Sequence, residues 1–146
     1  MVKTTDQILA LLPYSPPFLF VDELLSVDEN SATGTYTYKA EADFYKGHFK
    51  DYPVTPGVIL TETMAQIGLV CLGIYLLEDI GSDVIVALTS AETEFLKPVF
   101  PGEKVTVTSE KIYFRFGKLK CRTFMKNEKG ETVCTATIAG MLTTKL

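Results

Sequence analysis

The chain has 146 residues, 47% hydrophobic and 22% charged, with a net charge of −4 and a single histidine. Length and balance suit one globular domain, residues 1–146, whose interior is large enough to fold without disulfide or metal staples. A zinc site of two or three histidines from one chain is excluded. The acidic balance argues against general nucleic-acid binding, which rests on neutralising phosphates.

Thr4 or Thr5 can cap a short helix that carries Ile8, Leu9, Leu11 and Leu12 and stops at Pro13. No basic region ahead of an apolar stretch occurs in residues 1–13, so this start does not read as a signal peptide. Residues 14–17, Tyr-Ser-Pro-Pro, read as extended or turning chain. A strand is expected over 18–27, a turn at 28–31 and a returning strand over 33–39. Residues 43–55 lack a period and hold Gly47 and Pro53, which predicts a loop.

Residues 58–77 contain one charge, Glu62. Twenty helical residues span about 30 Å, a membrane thickness. Thr61, Glu62, Thr63 and Gln66 in its first half would be costly in lipid. A helix apolar on every side is otherwise a core helix, here one wrapped by a sheet. Strands are then expected from 84 toward 95, over 104–116, 118–126 and 132–143, with a turn at 127–130. That turn sets Cys121 opposite Ala136 and Cys134 opposite Thr123, too far apart for an easy disulfide. Three cysteines, with no Cys-x-x-Cys pair, point to buried thiols and a reducing, cytoplasmic setting. The elements total about six strands and one long helix, an α+β class with an antiparallel sheet curled around that helix.

Chemistry concentrates in residues 47–66. His48, on a loop held by glycine and prolines, can act as base or acid near neutral pH. Thr55 can cap the helix, Pro56 suits its first helical position, and Gly57 offers the first free N–H with no side chain to keep a ligand oxygen away. The positive helix end at Gly57 and Val58 favours a developing oxyanion. Glu62, in apolar surroundings, can hold a proton at pH 7, and Gln66 one turn on shares its face and can orient it. Base, acid and oxyanion donor together suit proton abstraction α to a carbonyl with loss of a β-hydroxyl.

His48-Phe49, Pro53, Pro56-Gly57-Val58, Glu62 and Ala65-Gln66 resemble the signature of FabZ-type β-hydroxyacyl-acyl-carrier-protein dehydratases, the FabA/FabZ-like hot-dog family. Residues 17–22 and 95–103 resemble two further family stretches, and the likeness runs from Leu12 to Met141. The resemblance implies a hot-dog fold, a homodimer, with assembly into a trimer of dimers left open, and a site shared between copies, His48 of one facing Glu62 of the other. His48 would take the α-proton, Glu62 would serve the leaving hydroxyl, and Gly57 N–H would polarise the thioester carbonyl. It implies no metal or redox cofactor, no membrane or nucleic-acid partner, an acyl carrier protein as partner, and a place in fatty-acid or related lipid or polyene biosynthesis. Glutamate at 62 resembles FabZ rather than FabA.

Two stretches depart from the family pattern. His48-Phe49-Lys50-Asp51 stands where His-Phe-Pro-Gly is usual, and Leu12-Pro13-Tyr14-Ser15 where Leu-Pro-His-Arg is usual. Both bear on substrate and carrier docking. Carrier proteins are acidic, so docking calls for local basic groups, and Lys46, Lys50 and Lys97 are candidates. A second source is the run 111–127, with six basic residues and no acid; the other eight basic residues face all eighteen acidic ones, a net −10. Its plainer reading is a solvated strand face. Tyr36, Tyr38, Phe114 and Phe116 read as sheet-face residues. Asp43, five residues before His48, has the spacing of an enoyl-CoA hydratase dyad but lacks its Asn-Pro. A hot-dog thioesterase, with the helix carboxylate activating water, and a non-catalytic acyl-thioester-binding subunit are the alternative functions.

Overall fold

The computed structural model describes residues 2–77 and 84–144. Helix α1 spans Thr5–Leu11 and is capped by Thr4, whose hydroxyl accepts from Gln7 N–H while the Gln7 side chain accepts from Thr4 N–H. Strands β1 (Glu23–Val27), β2 (Ser31–Thr37), β3 (Val84–Phe95), β4 (Lys104–Arg115), β5 (Lys118–Lys126) and β6 (Thr132–Thr144) form one antiparallel sheet in the order β1-β2-β4-β5-β6-β3. Helix α2, Gly57–Leu76, lies against β2, β4, β5 and β6. This is the hot-dog arrangement that the resemblance implies.

The helix is a core element. From Thr63 through Ile74 every residue is buried, including Thr63 and Gln66. Its six central residues, Ala65–Val70, take the wider π-type winding. With no polar stripe to give to water, the segment is covered on its sides by alternating inward residues of β4 and β5, among them Val105, Val107, Leu119, Cys121 and Met125. Its polar groups are satisfied internally: Tyr38 OH donates to Thr63 Oγ1 at 2.6 Å, and Thr63 Oγ1 donates to Ile59 C=O at 2.8 Å.

Three expectations are corrected. Residues 18–22 are not strand, because the Phe18 carbonyl and Phe20 N–H bond the Gln66 side-chain amide instead of a neighbouring strand. The β5–β6 register is offset from the one expected: Cys121 faces Ile138, and Cys134 faces Met125. Glu131 belongs to the turn, held by Asn127 through both main chain and side chain, which moves the pairing by one residue, and a register shift between Met125 and Lys126 moves it by one more. Phe116 is no sheet-face residue; it lies beyond the end of β4, and its ring is 95% exposed.

Gly68 marks where helix and sheet come closest. A Cβ there would lie 2.8 Å from Thr123 Cγ2 and 3.0 Å from Ser109 Cβ, both on buried strand residues. Helix propensity alone would make Gly68→Ala stabilising by about 1 kcal/mol. Overpacking of this contact opposes it, at about 1–3 kcal/mol. We therefore expect Gly68→Ala to lower the unfolding free energy in urea titrations; a gain would show that the helix lifts freely from the sheet.

Candidate active site

The loop before α2 opens with a 3₁₀ turn, Asp43–Lys46, and a tight turn in which Phe49 and Tyr52 exchange backbone bonds. His48 is fixed at three points. Its N–H donates to Phe44 C=O, its C=O accepts from Val54 N–H, and its Nδ1 lies 2.9 Å from Val54 C=O. A carbonyl only accepts, so Nδ1 carries the proton and Nε2 keeps a free lone pair. The Phe49 ring stacks on the imidazole at 4.1 Å, across a cis peptide bond.

Asp51 has φ 62°, the left-handed region that glycine fills most easily and aspartate tolerates. Aspartate thus takes, in this chain, a backbone conformation that a glycine at the same position would meet without strain.

The start of α2 differs from expectation. Pro56 is the cap residue, α2 begins at Gly57, and no side chain caps it. Thr55 does not serve because its hydroxyl is engaged with the Tyr45 phenol at 2.6 Å. The N–H groups of Ile59 and Leu60 are both taken by Pro56 C=O, and those of Gly57 and Val58 have no partner among the described residues. A Cβ at Gly57 would lie 2.9 Å from the tip of the Phe95 ring, so a larger residue there would have to displace that half-exposed ring.

His48 and Gly57 line one open cavity of about 430 Å³, together with Val54, Thr55, Leu60 and residues 95–98. Phe95 and Leu96, half exposed, form its apolar wall. Lys97 also lines it but is ion-paired to Glu131. Lys46 is ion-paired to Asp43, both well exposed, so Asp43 turns to solvent. Lys50 has no carboxylate partner among the described residues. Val58 projects outward and is 76% exposed.

Glu62 is half-buried and does not line the cavity that holds His48. Burial raises its pKa, and a 2.9 Å bond from Gln66 Nε2 to Glu62 Oε2 partly offsets that by favouring the carboxylate. Gln66, fully buried, also donates to Phe18 C=O and accepts from Phe20 N–H. One amide thus ties Glu62 to the chain that enters β1. Tyr14 is a neighbour that the sequence did not single out as a site residue. Burial first, then the nearby Glu62 carboxylate and Cys71 thiol, push its phenol pKa up. Its signal was the Tyr14-Ser15 departure from the usual His-Arg.

Among the described residues, no three His, Cys, Asp or Glu side chains converge as metal ligands would. The arrangement offers an imidazole lone pair beside uncapped backbone donors, and a separate carboxyl group biased toward its protonated form.

A model of the FabA-like domain matches residues 12–137. A 3-hydroxyacyl-[acyl-carrier-protein] dehydratase FabZ from Sinorhizobium fredii is 36% identical over 144 residues, covering 96% of this chain and 90% of the relative. A FabZ from Herpetosiphon aurantiacus is 37% identical over 118 residues, covering 79% and 82%. Among solved structures, the dehydratase heterocomplex ApeI:P from Xenorhabdus doucetiae superposes with a TM-score of 0.78 at 13% identity, covering 94% of this chain and 91% of that one. A thioesterase from Haemophilus influenzae superposes with a TM-score of 0.71 at 17% identity, covering 99% and 93%. These distant structures share the fold, and the sequence relatives fix the family: the chain belongs to the FabA-like family, among the dehydratases of the FabZ type.

Proposed function

We propose that this single-domain chain dehydrates β-hydroxyacyl thioesters carried on an acyl carrier protein, giving trans-2-enoyl thioesters and water. The observation that carries the reading is His48, its Nδ1 held by Val54 C=O and its Nε2 bare, in one cavity with the uncapped start of α2. Gly57 N–H, with Val58 N–H beside it, polarises the thioester carbonyl and so acidifies the α-carbon. Nε2 takes the α-proton. The electron pair forms the Cα–Cβ double bond as the Cβ–O bond breaks, and protonated Glu62 gives its proton to the departing hydroxyl, which leaves as water.

Two copies complete the site. Glu62 is outside the cavity of its own chain's His48, so the pair meets when His48 of one copy faces Glu62 of another. Edge strand β3, twelve residues long with half-exposed Leu88, and the outward Val58 supply a surface for that pairing. Phe49 and Pro56 support the site, the first by stacking on His48 and the second by setting the helix start. Of the lysines beside the cavity, Lys50 is free to meet a carrier carboxylate, while Lys46 and Lys97 must first exchange partners. Three buried free thiols suit a reducing, cytoplasmic setting.

His48→Ala and Glu62→Gln are each expected to lower kcat for a β-hydroxyacyl carrier thioester about 10²–10⁴-fold with the dimer intact. Product analysis separates the readings: enoyl thioester supports dehydration, free thiol a thioesterase, and binding without turnover a carrier of acyl groups. An active His48→Ala enzyme would refute the base assignment.

The Glu62 environment adds a sign. Its folded-state pKa is raised, so the ionised group opposes folding, and stability is lost as pH rises through the raised value. Glu62→Gln removes that loss, and its stability relative to wild type is expected to grow with pH through the same range in chemical denaturation. Gln66→Leu removes the bond that favours the carboxylate, so Glu62 stays protonated to higher pH. The limb of the kcat–pH profile on which activity falls as Glu62 ionises then moves upward; a downward move would sink the acid role.

A further inference from the structure

The two carbonyls that hold His48 belong to two peptide groups. Phe44 C=O, which accepts from His48 N–H at 3.1 Å, is the carbonyl of the Phe44–Tyr45 peptide. Val54 C=O, 2.9 Å from Nδ1, is the carbonyl of the Val54–Thr55 peptide. The far side of each peptide is also committed. Tyr45 N–H donates to Ala42 C=O at 3.2 Å, and Thr55 N–H donates to Val99 C=O at 2.8 Å. A peptide group is planar, so whatever fixes its N–H side aims its carbonyl. Tyr45 and Thr55, the residues that follow the two carbonyls, are joined to each other: their hydroxyl oxygens lie 2.6 Å apart.

Both residues of this bond are buried, and the fold does not ask for it. Phenylalanine and valine would fill the same space with no hydroxyls to take out of water. Exchanging both partners of a buried bond for apolar groups of the same shape is nearly neutral for stability. The second Tyr–Thr bond has a different reason: Tyr38 satisfies Thr63 on a helix buried all round, and the chain of bonds runs on to Ile59 C=O. Thr55 lies outside α2, and its hydroxyl bonds Tyr45 alone among the described residues. What the Tyr45–Thr55 bond does is span the loop 46–54, which carries His48. The outer part of that loop is open to solvent, with Phe49 and Tyr52 both more than half exposed. Its order therefore comes from its base, where this bond sits.

We infer that Tyr45 and Thr55 are positioning residues: the bond between their hydroxyls fixes the two carbonyls relative to each other and so holds the His48 imidazole with its proton on Nδ1 and its lone pair on Nε2. Which nitrogen of a neutral imidazole carries the proton is set by the bond the other makes. Without the hydroxyl bond, the Val54–Thr55 peptide is held from its N–H side by Val99 alone, and its carbonyl swings away from Nδ1. The proton then moves to Nε2 in part of the population, and that form has no lone pair facing the cavity. Tyr45 does not line the cavity, so it acts through His48 and not on a bound molecule. Thr55 does line it, which makes Tyr45 the cleaner probe. The use of the lone pair as a base rests on the dehydratase reading; the hold on the tautomer does not.

The single histidine makes the test direct, because ¹⁵N-labelled imidazole in the untagged full-length protein gives signals from His48 alone. Spectra are recorded at about pH 9, where imidazole is neutral. Wild type is expected to show a protonated Nδ1 and a bare Nε2. In Tyr45→Phe and in Thr55→Val the two nitrogen signals should move toward each other as the second tautomer enters. Thr55→Ser, which keeps the hydroxyl, should hold the wild-type spectrum. The double variant Tyr45→Phe with Thr55→Val should look no worse than either single one, since both remove the same bond. Wild-type signals in Tyr45→Phe overturn the proposal. So does a Thr55→Ser spectrum as averaged as that of Thr55→Val, or a double variant whose shifts are the sum of the two. With a β-hydroxyacyl carrier thioester, Tyr45→Phe should lower kcat about tenfold and leave KM unchanged; a raised KM with unchanged kcat overturns the positioning role. Averaged signals in a protein whose wild type does not dehydrate would remove the dehydratase reading and keep the hold on His48.

Discussion

A twenty-residue helix without a polar side must be kept from water all round, and the molecule is arranged to do that. The sheet wraps α2 with inward residues from β2, β4, β5 and β6, and it closes down tightly enough that Gly68 cannot carry a methyl group without pressing on Thr123 and Ser109. Burial on this scale leaves every polar group on the helix in need of a partner. Thr63 finds Tyr38, Gln66 finds the chain entering β1, and Glu62 finds Gln66. The same constraint that builds the core therefore sets the protonation of the carboxyl group on which the proposed reaction depends. At its N-terminal end the helix emerges from this wrapping, and its first two N–H groups have no partner among the described residues.

Much of this was legible in the residues. One apolar run with one acid announced the helix and its carboxylate, and residues 104–126 announced the two central strands, β4 and β5. The spacing of His48, Pro56-Gly57 and Glu62 carried the family likeness. Three things were not legible, each for a physical reason. Thr55 looks like a cap by residue type, but its hydroxyl goes to Tyr45, ten residues back, a tertiary choice that local pattern does not contain. The β5–β6 register turned on two local details: Glu131 joins the turn through side-chain bonds from Asn127, and an irregularity between Met125 and Lys126 shifts the pairing once more. Residues 18–22 have strand composition, yet a side-chain amide on a distant helix takes the Phe18 carbonyl and the Phe20 N–H.

The site divides between two kinds of support. His48 depends on its own loop: the cavity side chain is oriented by a carbonyl six residues away, and the turn geometry around Asp51 shapes the approach. Glu62 depends on the core, through its burial and the bond from Gln66. The two departures from the family pattern fall one on each side of this division, at Lys50-Asp51 and at Tyr14-Ser15. Neither touches the atoms proposed to move protons. Both alter what surrounds them, which is where preference among acyl chains and carriers would be set.

The cysteines carry a last consequence. Cys71 is in the helix, Cys121 in β5 and Cys134 in β6, all buried, with Cys134 Sγ packed 3.7 Å from the sulfurs of Met64 and Met125. Burial pushes each thiol up to about 12, so almost none is thiolate at neutral pH, and none takes part in the proposed chemistry. An oxidant or alkylating reagent must wait for the core to open before it finds a reactive sulfur. The rate at which such reagents inactivate the protein through its thiols is thereby a clock for unfolding of the helix and sheet rather than a measure of chemistry at the site.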